Sequence, residues 1–146
     1  MNHGIIEGQR YTDWVAGQIQ HEVRNPSGDW TSYLPPGEWQ KIGPVDTMAC
    51  VTFSALNSLE AQHKFLTGSA RNFSDRFTAT MSGTTSQGNY LWKVADSIRK
   101  DGLVDEADWG TPDNYDWNSY YSPPSIVIID KAKKFLDACS AFLAQR

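Results

Sequence analysis

The chain has 146 residues, 40% of them hydrophobic and 21% charged, the composition of one ordinary globular domain able to bury a core. Its net charge of −4 argues against a nucleic-acid role, which would want a basic face. No apolar run approaches the roughly 18 residues that a membrane span requires, and no basic-then-apolar leader opens the chain.

Residues 1–45 carry two Gly/Pro-punctuated stretches, Arg24-Asn-Pro-Ser-Gly-Asp-Trp30 and Leu34-Pro-Pro-Gly37. They read as turns joining short extended pieces in an irregular N-terminal arm. From Asp46 to Thr67 the pattern predicts a helix, with Asp46 or Thr47 as N-cap and Gly68 as the stop. Cys50 falls in its first turn, where unpaired N–H groups and the positive end of the helix dipole favour a thiolate. The ordinary alternative is a small core cysteine.

Asn72 to Met81 predicts a short helix capped by Ser74, followed by a polar loop from Ser82 to Asn89. Tyr90 to Lys100 predicts a helix with Leu91, Val94, Ala95 and Ile98 on its inner face, closed by Gly102. Residues 104–124 read as an aromatic loop ending in Pro123-Pro124. The last helix, about Ser125 to Ala144, carries Ile129, Ala132, Phe135, Leu136, Cys139 and Leu143 along one stripe. Cys139 reads as a core residue on that stripe. An uncovered stripe of this size needs a partner, a second copy of the chain or another component of an assembly.

Three stretches carry a resemblance. Cys50-x-x-Phe53-Ser54-Ala55-x-x-x-Leu59-Glu60 resembles the active-site helix of the papain-like cysteine peptidases, where the nucleophile opens a long central helix. Phe73-Ser74-Asp75-Arg76-Phe77 is similar to the serine-capped helix start that follows it in the family. Gly88-Asn89-Tyr90, running on to Gly102-Leu103 and Glu106, is similar to the family's glycine pair, aromatic and helix. The resemblance spans roughly Gln40 to Gly110 and implies a predominantly helical α+β fold, the helical half of a papain-like peptidase, with residues 46–103 as its core. It implies Cys50 as nucleophile, Gln40 with the Cys50 amide as oxyanion donors, and Gly88, Asn89 and Tyr90 beside a bound peptide or protein substrate. No metal or other cofactor is implied.

Departures from the pattern limit the activity. The family's general base is a histidine roughly 130–150 residues beyond the nucleophile, whereas the histidines here are His3, His21 and His63. His63 lies about 20 Å along the same helix as Cys50 at the usual rise per residue, too far to take its proton. The position of the family's oxyanion glutamine is Pro44, so Gln40 can serve only if the loop Lys41 to Val45 bulges. The tryptophan that usually follows the nucleophile is Val51. Two readings follow: a cysteine peptidase or acyl-transfer site that needs a histidine from elsewhere and is inactive alone, or a non-catalytic scaffold used for binding or assembly. With two cysteines and no visible leader, the chain suits a reducing compartment. A disulfide-free form of this kind suits a phage or bacterial source, with the protein in the cytoplasm of the host cell or in a virion.

Overall fold

A computed structural model describes residues 25–144, with side chains described to residue 137 except that of Ile42. Its framework is predominantly helical. The principal helices are α1 (Cys50–Thr67), α2 (Asp75–Met81), α3 (Leu91–Asp101) and α6 (Ile126–Ala144). Two single-turn helices, α4 (Glu106–Trp109) and α5 (Trp117–Tyr120), punctuate the aromatic segment. The β component is one hairpin, β1 (Lys41–Ile42) against β2 (Val45–Asp46).

The hairpin changes how α1 begins. Asp46 pairs with Lys41 in the ladder, and the Thr47 hydroxyl donates to the Gln40 carbonyl at 2.9 Å. Neither predicted N-cap therefore caps the helix; α1 starts at Cys50, with Ala49 in the cap position and no side-chain cap. The Asp46 carboxylate accepts instead from the Met48 N–H, holding Met48 at φ +54°, where a residue with a Cβ is strained. At the other end Gly68 closes α1 in the left-handed region and donates to the Lys64 carbonyl, as glycine can without strain.

Two apolar clusters hold the helices together. Phe77, Val104, Ile128 and Ala132 form one, with Met81 and Trp109 against it; Leu56, Phe73 and Leu103 form the other, with Leu59, Ile98 and Phe135. The inner face of α3 differs from the pattern: Val94 and Ser97 are buried, while Leu91 and Ala95 face outward. The helix is short, and its turn over α1 and α6 is set by packing rather than by its own apolar count. On α6 the deepest residues are Ile128 and Ala132, with Ile129, Phe135 and Leu136 half-buried. The Cys139 and Leu143 side chains lie outside the described residues. Ile126 and Val127, in the first turn of α6, are exposed.

Gly102 permits a close approach of α6 to the end of α3. A Cβ there would stand 2.1 Å from the Ala132 carbonyl oxygen, and its φ is +82°. Only glycine lets α6 lie this close to the end of α3. On the N-terminal side, residues 31–33 form a single 3₁₀ turn rather than an extended piece. Trp30 meets Phe65 at a tilt and Tyr33 meets it edge-on, with ring centroids 5.2 and 5.1 Å apart, docking that turn on α1.

Candidate functional site

Cys50 occupies the first position of α1, partly exposed, and its thiol is not in a disulfide. The expected easy ionisation does not follow from that position. Burial pushes the thiol above its ordinary value; the Val51 N–H pulls it down, the Asp46 carboxylate pushes it up, and the Cys50 N–H pulls it down. Desolvation of a thiolate outweighs the helix terminus here.

The hairpin shortens the path from Gln40 to the start of α1. Gln40 stands ten residues before Cys50, but four of the intervening residues are folded away as β1 and β2, joined by Gly43-Pro44. The Thr47 N–H and hydroxyl both donate to the Gln40 carbonyl, at 3.1 and 2.9 Å. Gln40 is thereby tied across from a residue three before Cys50. Its side chain is half-buried, and Oε1 has no hydrogen-bond partner among the described residues.

The loop from Ser82 to Asn89 is ordered from within. Asn89 is 1% exposed; its amide nitrogen donates to Ser82 and Thr84, and its Oδ1 accepts from the Tyr90 N–H. Its side chain is thus buried and spent on shaping the loop. Gly88 sits at φ +99° and exchanges both backbone hydrogen bonds with Thr85, so neither group remains for a peptide. Tyr90 stacks on Trp92, with ring centroids 5.8 Å apart.

Tyr121 connects these pieces and was not singled out by its sequence. Its hydroxyl donates to the Thr47 carbonyl and lies within hydrogen-bonding reach of the Thr84 side chain. Burial raises the phenol well above its ordinary value, keeping it a donor. A tyrosine after a single-turn helix has no local signature; only the folding of residues 104–124 over the start of α1 gives it this place.

His63 lies near the far end of α1, and its Nδ1 is 3.0 Å from the Ser69 carbonyl oxygen. His3 and His21 lie outside the described residues. Among the described residues no histidine stands beside Cys50, and no group of three or more His, Cys, Asp or Glu side chains is arranged to hold a metal ion. No described helix is long and apolar enough to cross a membrane.

Buried carboxyls form a second feature that the motif reading did not assemble. Glu60 Oε1 accepts from the Phe73 N–H at 2.7 Å, while Oε2 has no partner among the described residues. Burial pushes Glu60 up to about 7, despite that N–H. Asp75 is raised further, to about 9, first by burial and then by the neighbouring Glu38, Glu60 and Glu106 carboxyls. Glu106 is also raised by burial, and the Thr111 N–H that it accepts from at 2.9 Å limits the rise. No protein-family model matches this sequence, and no curated protein matches it significantly.

Proposed function

We propose that this chain carries a papain-like thiol site in which Cys50 is a latent nucleophile toward a peptide or protein carbonyl. One observation carries the reading: Cys50 opens an 18-residue helix, partly accessible, with the Gln40 backbone tied by the hairpin to Thr47, three residues before Cys50. In such a site Sγ adds to the carbonyl carbon while the Gln40 side chain and the Cys50 amide steady the oxygen. The C–S bond forms and the C–N bond breaks, and the amine leaves carrying the thiol's proton, taken up and passed on by a base from outside the described residues. Water then releases the acid and restores the thiol.

Latency follows from two features. The thiol is raised rather than lowered, so at neutral pH it is protonated. No described histidine can relay its proton, and general acid–base help is worth about 10²–10⁴-fold. The second reading, a papain-like scaffold used for binding or assembly, is favoured by the Gly88 backbone, which would have to release Thr85 before it could align a peptide.

Alkylation of the full chain by an epoxide that traps activated papain-like thiols tests the proposal, with a cysteine peptide as reference and Cys50→Ser as control. Cys50 is expected to label no faster than the peptide at neutral pH and to gain rate steadily above pH 9, without a neutral plateau. A neutral plateau would reveal an ion-paired, active thiol and end the case for latency. A Cys50 that resists labelling even at pH 10 is sealed, and the nucleophile reading fails.

A further inference from the structure

A cavity of about 570 Å³, reached by α1 one turn after Cys50, is lined by Glu38, Asp75 and Glu106, with Phe53 and Trp39 as aromatic wall and Lys41 alongside. Asp75 is 6% exposed, yet its Oδ1 has no hydrogen-bond partner among the described residues. The Glu38 side chain beside it is another carboxyl, and two carboxyls bond only by sharing a proton. Lys41 enters no ion pair among the described residues. Arg76, the nearest buried cation in sequence, directs its hydrogen bonds to Tyr120, Gly110, Ser119 and Ser122. Carboxyl oxygens therefore face a solvent-connected space in which Lys41 forms no ion pair among the described residues and Arg76 acts on Glu106 without hydrogen-bonding to it, while burial raises Asp75 and Glu60.

The chemistry of the wall selects the kind of cation. These carboxyls do not form a metal-ligating set, so a divalent ion has no ready shell of oxygens. A cation with several N–H donors can reach carboxyl oxygens in different directions, and its face or methylene stem can lie on Phe53 and Trp39. Trp39 is 81% exposed, an aromatic surface open to such a contact.

We propose that this cavity binds an organic cation, a guanidinium or ammonium group, with Glu38, Glu106 and, once it releases its proton, Asp75 as its anionic partners and Phe53 and Trp39 as its ring contacts. The proposal does not depend on the reading of Cys50.

The test is a two-dimensional NMR titration of the full chain, following the Trp39 indole N–H. The probes are N-acetyl-arginine methylamide, N-acetyl-lysine methylamide and the uncharged isostere N-acetyl-citrulline methylamide, with Mg²⁺ and Ca²⁺ as separate arms. Saturable shifts are expected with the arginine probe, the lysine probe or both, which also tells a guanidinium from an ammonium site. The citrulline probe should bind at least about tenfold more weakly, the loss expected when a charge-assisted contact is removed. Glu38→Gln, at an exposed position, and Asp75→Asn, of nearly equal volume, should each weaken the cationic probe by about the same factor. Cys50→Ser should bind like the parent. Equal binding of citrulline, indifference to both variants, absence of saturable shifts, or a preference for Mg²⁺ or Ca²⁺ would each overturn the proposal.

Discussion

Asp75 and Arg76 are neighbours in the first turn of α2, both buried, and their surroundings are opposite. The Arg76 guanidinium donates from Nε to the Tyr120 carbonyl at 2.7 Å and from Nη2 to the Ser119 carbonyl at 2.7 Å and the Ser122 hydroxyl at 2.8 Å. Nη1 reaches the Gly110 carbonyl at 3.2 Å, and the group lies 4.0 Å above the Trp109 ring. Asp75 looks toward Glu38, Glu60 and Glu106. No ion pair joins the two among the described residues. The comparison teaches that this fold uses its buried cation chiefly to organise backbone carbonyls and leaves the buried carboxyls Asp75 and Glu60 without an ion-pair partner among the described residues. A planar fork with five N–H donors can tie together a segment that has little regular structure of its own. One side of α2 is thereby a finished structural joint, and the other a site short of positive charge.

The sharpest way to break the contrast is to remove the satisfied member. Arg76→Ala should destabilise the chain by about 3–5 kcal/mol, because several buried acceptors lose their donor together and the cation–π contact is lost. Urea midpoints measure it, and a change below about 1 kcal/mol would show that the 110–122 segment is held by other contacts. Arg76→Lys should recover only part of the loss, since an ammonium cannot reproduce the fork.

The uncompensated side is read by pH. Glu60 and Asp75 have folded values raised above the unfolded carboxylate range, to about 7 and about 9. Between those limits the folded chain binds more protons than the unfolded chain. Their stabilising contribution is complete below about pH 4 and is lost as pH rises through 7 and then 9. Between pH 5 and pH 9 the chain should lose stability on the order of a few kcal/mol, and Asp75→Asn should flatten that slope. Stability that holds level or rises over this range would mean a cation already sits among these carboxyls.

The smallest effect belongs to the residue just before the pair. The Ser74 hydroxyl accepts from the Phe77 N–H at 3.0 Å and donates to the Trp109 carbonyl at 2.6 Å. It caps α2 and ties it to the segment that Arg76 also holds. Ser74→Ala should cost about 1–2 kcal/mol in the same urea measurement, the usual loss for an N-cap.

Several of these features are legible locally. Ser74 was readable as a cap because a short hydroxyl before a helical run meets an unsatisfied N–H two or three residues on. Gly68 was readable as a stop for a similarly local reason. The roles of Asp75 and Arg76 were not, since charged residues in a first turn ordinarily face solvent, and the groups around them lie far away along the chain, fifteen residues off for Glu60 and more than thirty for Glu38, Glu106 and Tyr120. Glu60 counted as a motif match, but the motif says nothing of the Phe73 N–H that it receives. The hairpin escaped because each strand is two residues long, too short for any alternation to register. Its consequence, the return of Gln40 toward the start of α1, depended on pairing that no linear spacing reveals.

By itself, the order of residues determined where the main helices run, that a cysteine stands in the first turn of α1, and that glycine ends α1 and α3. These depend on capping, periodicity and backbone freedom, interactions that reach only a few residues. Tertiary structure alone decided that the Cys50 thiol is raised, that Gly102 must accommodate the Ala132 carbonyl, and that four carboxyls from distant segments gather near one cavity. Those outcomes turn on desolvation and on distances between segments far apart in the chain, and both come into being only when the helices pack.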